Sequence, residues 1–196
     1  MKASIAGTLL TGCIALAFIW SHRASGTDQV PEYWFSPDPG LELVHLRFSG
    51  GRSKARLDYR LLADGTLKIE HRANEDGGDT YSSFTHHVTS QELDALIRKA
   101  VAGGLLTISN ETRTKIRNLE RQYSSSDSGS MWLTLAIPHV RLPGAREETS
   151  VRATLAMAAG TYQRAATRAR EVPELAAVEE LVATLRAYEK QARAAQ

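Results

Sequence analysis

A single cysteine, Cys13, is the only thiol among 196 residues, which excludes an intramolecular disulfide. Any folded domain must therefore hold together by its core. Signatures of catalysis are missing as well. There is no G-x-S-x-G elbow, no S-x-x-K pair and no P-loop. Glycine pairs at 50–51, 77–78 and 103–104 lack the context of a phosphate or dinucleotide site. Six histidines stand at 22, 45, 71, 86, 87 and 139, and none falls in an H-E-x-x-H motif or another metal-ligand spacing. A large excess of charge is lacking too. The net charge is +2, and residues 1–24 carry Lys2 and Arg23 with no acid, so the remainder is neutral. That balance argues against general nucleic-acid binding, which needs a basic footprint. The densest basic run, Arg113, Lys115, Arg117 and Arg121, is offset by Glu111 and Glu120 and reads as a solvated face. No metal, cofactor or nucleic-acid partner is expected.

What the chain does have is an uncharged stretch over residues 3–20, preceded by Lys2 and followed by His22 and Arg23. As a helix it would span about 27 Å, near the hydrocarbon thickness of a bilayer. A positive start and an apolar run mark an export segment, and its style is bacterial. Three fates stay open. The segment is a signal cleaved near Ala24-Ser25-Gly26, or an anchor that holds the chain in the membrane through residues 3–20. Alternatively, Leu10-Thr11-Gly12-Cys13, which resembles a bacterial lipobox, is lipidated at Cys13. Each places the rest outside the cytoplasm, in the periplasm or anchored and facing outward.

The organisation predicted is a signal peptide or anchor (1–25), a proline-containing tether (26–40) and a single α+β domain (41–196). Within the tether, Tyr33-Trp34-Phe35 is an aromatic cluster suited to docking on the domain. Alternating runs predict strands over 41–48, 55–62, 67–71, 80–88 and 131–142, with 149–155 pairing back. Asp64-Gly65 between two of them signals a hairpin. Pro138 points to an edge position or a break. Thr89-x-x-Glu92 is a capping box, followed by an apolar stripe at Leu93, Leu96, Ile97, Ala100 and Val101. Pro173 opens a second amphipathic helix with Leu175, Val178, Leu181, Val182, Leu185 and Tyr188. Residues 110–130 read as a polar loop with room for a short helix at Ile116 and Leu119, and residues 156–170 as helical. The fold class expected is α+β: an antiparallel sheet of five or six strands with two helices on one face.

Chemistry has few candidates. His71 and His86 fall on the apolar faces of neighbouring strands, and with an acid such as Asp58 they are the only basis for a hydrolase or metal-dependent enzyme. Adjacent His86 and His87 point to opposite faces of a strand. Ser49 before Gly50-Gly51 reads as a strand-to-loop turn. The strand ending Arg47-Phe48-Ser49-Gly50-Gly51 resembles the opening of emfourin, an inhibitor of thermolysin-like metalloproteases. The helix with Leu93-Asp94-Ala95-Leu96 running into Gly104-Leu105-Leu106, and the closing Pro173-Glu174-Leu175 helix with Leu181-Val182, are similar to that family's helices. The Asp64-Gly65-Thr66 hairpin resembles small secreted bacterial domains of unknown function. The likeness implies a compact α+β binding module and assigns no inhibitory residue. The leading expectation is a non-enzymatic envelope domain binding a protein or peptide, with strand addition near Pro138; an enzyme and a purely structural envelope protein are the alternatives.

Overall fold

A computed structural model describes residues 30–50, 55–75, 78–123, 129–159, 161 and 172–196. The export segment, with Cys13, lies outside them. In chain order the elements are β1 (Glu32–Trp34), β2 (Glu42–Ser49), β3 (Arg56–Leu62), β4 (Thr66–Glu75), β5 (Gly78–His87), α1 (Ser90–Ala102), α2 (Asn110–Tyr123), β6 (Ser130–Arg141), β7 (Thr149–Ala158) and α3 (Pro173–Ala194). The class is α+β, with every strand pair antiparallel.

The strands form one sheet in the order β7-β6-β2-β3-β4-β5. Val140 pairs with Tyr33 on one side and with Thr149 on the other, so β1 continues the row of β2 along β6. β1 thus lies inside the stretch read as a tether. Tyr33 and Phe35 pack on the core, and the Tyr33 hydroxyl donates to Asp94 of α1 at 3.0 Å. Burial and the Asp94 charge push that phenol well above its ordinary range.

Alternation decides which side chains enter the core. Leu46 stands opposite Tyr59 and Leu133, Tyr59 opposite Ile69, and Leu133 opposite Leu155, so one face of the sheet is a continuous apolar surface. Against it pack the stripes of three helices rather than two. α1 contributes Leu93, Leu96, Ile97, Ala100 and Val101, α2 contributes Ile116 and Leu119, and α3 contributes its stripe from Leu175 to Ala192. The capping box of α1 is present in both directions, with Thr89 N–H donating to Glu92 at 2.9 Å.

The hairpin between β3 and β4 turns at Gly65, with φ of +86°. A Cβ there would stand 2.3 Å from the Val88 carbonyl oxygen, so glycine is needed for space as well as for backbone angle. The structure sharpens several readings of the sequence. Residues 110–123 form a helix: Ser109 accepts from Thr112 N–H at 3.0 Å at its start, and Ile116 and Leu119 fix it to the core. Of the two readings of Pro138, the break is the one found, not the edge. Pro138 lies within β6, where the register with β7 shifts between Ile137 and Val140, a bulge that tolerates the missing N–H. The strands with a single partner are β1, β5 and β7. β7 also continues through Ala158, into the stretch read as helical; residues 162–171 lie outside the described set.

Candidate functional site

The second face of the sheet carries no helix among the described residues, and its side chains alternate with those of the core. Arg47 stands opposite Asp58 and Trp132, Asp58 opposite Glu70, and Arg72 opposite Tyr81. Arg47, Arg56, Arg60, Lys68 and Arg72 share this face with Glu42, Asp58 and Glu70. Trp34, Trp132 and Tyr81 are exposed by 39%, 41% and 59%. Trp34 stacks on His139 with ring centres 5.6 Å apart and lies under Arg141, while Arg72 lies over Tyr81.

Asp58 is buried at the centre of this polar face. Its Oδ1 accepts from Arg47 Nε at 2.8 Å and contacts His45 Nε2 at 3.1 Å, and its Oδ2 accepts from Arg56 Nε. Burial pushes the carboxyl up, but the bonds from Arg56, Arg47 and His45 outweigh it and hold it at about 2. Asp58 is thus a fixed anion that aligns the cations around it.

Where β2 ends, β3 begins and β4 passes into β5, the sheet's end and α3 enclose a cleft of about 580 Å³. His71, Arg72, Arg186, Arg193 and Arg56 line it with Phe48, Leu57 and Tyr81. Beside it Glu189 gathers three donors: the Tyr59 hydroxyl, Arg193 Nε at 2.9 Å and His71 Nε2 at 2.8 Å. Burial raises the Glu189 carboxyl, yet these donors lower it on balance, so it is ionised at neutral pH. Burial and Glu189 push the Tyr59 phenol far above its ordinary range. Arg193 Nη2 also lies 2.8 Å from His71 Nε2. One ring nitrogen can donate to Glu189 or accept from Arg193, not both.

The residues singled out from the sequence are not brought together. His71 stands opposite Ser82 and His86 opposite Leu67, four positions apart along β5, about 13 Å by strand rise. His86 stacks on Tyr188, with centroids 5.2 Å apart. Asp58 lies on the opposite face of the sheet from both. Among the described residues no three His, Cys, Asp or Glu side chains converge to hold a metal. Ser49 Oγ bonds Ser130 Oγ across the β2–β6 pair at 2.8 Å, and Gly50 N–H donates to the Ala55 carbonyl; Gly51 lies outside the described residues. On α2, Lys115 is paired with Glu111 at 2.8 Å. The cations missed by sequence reasoning are those on strands and on α3. Their one local signal is Arg or Lys alternating with apolar residues at 56–61 and 67–72.

Compared with protein-family models, characterised proteins and solved structures, the chain matches none of them.

Proposed function

We propose that the chain is an exported or membrane-tethered protein of the bacterial envelope, and that its folded domain is a non-enzymatic module that docks a protein partner on the uncovered face of the sheet. The observation that carries this reading is the composition of that face. Trp34, Trp132 and Tyr81 are exposed beside arginines, the residue types that dominate binding energy at interfaces. Six strands across by about seven residues along give roughly 650 Å² of sheet, near the ~800 Å² per partner of a standard interface. Five cations against three acids on β2–β4 favour a partner with an acidic surface. The resemblance to emfourin-like inhibitors points the same way, toward a compact binding module.

The envelope assignment rests on residues 1–25. Among the described residues no helix is long and apolar enough to cross a membrane. Lipidation at Cys13, retention of residues 3–20 and cleavage are alternative forms of the same location.

The test is a photo-crosslinking amino acid placed at position 132, at position 34 or, on the helix side, at position 98, in the full-length protein in its native envelope. A discrete heavier adduct from 132 and 34 but not from 98 supports the reading. So does its loss when Arg47 and Arg72 are both replaced by Glu, provided the variant melts cooperatively. Equal adducts from both sides, none from 132, or an adduct of twice the protein's own mass overturns it.

A further inference from the structure

We infer that the cleft between the end of the sheet and α3 is a binding site for a small anionic molecule with an oxyanion head, carboxylate or phosphate, on an apolar body. The cleft adjoins the protein-docking face at the sheet's end, where it shares Arg56, Arg72 and Tyr81 with it, but its own charged residues, His71, Arg186 and Arg193, lie on the helix side, and the inference does not depend on docking.

Charge carries the argument. Arg186 and Arg193 of α3 line the cavity with His71, Arg56 and Arg72 border it from strand positions whose side chains alternate to the other face, and no described lining residue is acidic. Their neutralisation is uneven. Arg56 is satisfied by Asp58, whereas Arg72 reaches Glu70 only at 3.9 Å. Arg186 lies over the Phe48 ring at 5.4 Å and has no carboxylate within ion-pair distance among the described residues. Arg193 gives its Nε to Glu189. When His71 Nε2 donates to Glu189, it cannot accept from Arg193 Nη2, which leaves that donor for a ligand. Glu189 therefore orients Arg193 from behind without entering the cavity.

Shape agrees with charge. A volume of about 580 Å³ is within the range of small-molecule pockets. Its apolar lining on the helix side comes from Phe48 and Leu57, with Arg186 over the Phe48 ring, while Arg72 lies over Tyr81 where the cleft meets the other face. A guanidinium binds a planar oxyanion through paired hydrogen bonds. An apolar body would rest among the ring and leucine surfaces.

The experiment is calorimetric titration of the full-length protein in mild non-ionic detergent at low salt. The probes are phenyl phosphate, benzoate and neutral benzyl alcohol. Saturable binding of either anion, with no heat from the alcohol, is expected. Binding of phenyl phosphate alone identifies a phosphate ligand, and binding of benzoate alone a carboxylate. Arg186→Gln and Arg193→Gln should each weaken binding about tenfold, the usual scale for losing one charge-assisted contact. Both side chains are exposed on α3, so the variants should keep the wild-type melting temperature within a few degrees. Arg98→Gln, on the exposed side of α1, should leave the affinity unchanged. Failure of both anions to bind at millimolar concentration, equal binding of the alcohol, or a change of less than twofold in both arginine variants would overturn the assignment. The docking face would be untouched by that result.

Discussion

Replacing Asp58 by Asn removes one charge and keeps the shape of the side chain. Asp58 is buried, with only 2% of its side chain exposed, and is held at about 2 rather than its ordinary 3.8. A folded-state value below the unfolded one stabilises the fold above pH 4 and is lost as the pH falls toward 2. The size of the shift corresponds to about 2 kcal/mol at neutral pH. Two features set the outcome near that figure. Arg47 and Arg56 are each about one-third exposed, so water can solvate them when the anion goes, and the larger penalty of about 3–5 kcal/mol for breaking a fully buried pair does not apply. The Asn amide has one oxygen where the carboxylate has two, so it cannot serve Arg47 and Arg56 together. Urea unfolding of the full-length protein, followed by tryptophan fluorescence, should show Asp58→Asn less stable by about 2 kcal/mol at pH 7. The gap should shrink to about half near pH 3 and to little near pH 2, as the wild-type carboxyl takes up its proton. A gap under about 0.5 kcal/mol at pH 7 would refute the reasoning, as would one that persists unchanged to pH 2.

Further substitutions separate stability from binding. Tyr59→Phe removes the donor to ionised Glu189 and should cost about 1.5 kcal/mol in the same assay, with the core packing kept. Leu185, fully buried on α3, should cost about 2–5 kcal/mol when replaced by Ala. Trp132→Ala, on the open face, should change stability by less than about 1 kcal/mol and lose the partner adduct. Thr89→Ala removes the hydroxyl that accepts from the Glu92 N–H, leaving the Thr89 N–H bond to the Glu92 carboxylate, and should cost about 1 kcal/mol, seen as a lower melting temperature with unchanged helix content in the cold.

Local patterns carried much of the fold. The Thr89 box, the Asp64-Gly65 turn and the alternation of β2, β3, β4 and β6 are each complete within a dozen residues, so they read directly. β1 did not. Three residues between prolines have too little length for a period, and only pairing with β6 makes them a strand. Among its described side chains α2 shows two buried apolar residues, Ile116 and Leu119, and its stability comes from what they touch. Pro138 left an edge and a break open because both leave the same mark in a sequence, and the structure shows the break. The cleft was least legible. His71 stood out, but its partner Glu189 is 118 positions away on another element. Sites assembled across the tertiary fold leave no spacing to recognise.

The pairing of β1 with β6 has a geometric consequence for the tethered form. If residues 3–20 stay in the bilayer, nine residues, 21–29, join them to the described chain that begins just ahead of β1. Fully extended, nine residues reach about 30 Å. Because β1 is stitched to β6 and its Tyr33 hydroxyl is bound to α1, the leash cannot lengthen without peeling a strand from the sheet. The corner holding Trp34, His139 and Arg141 would then ride within a few nanometres of the lipid surface. A partner reaching the sheet would have to fit the gap between that surface and the domain, or come from the side.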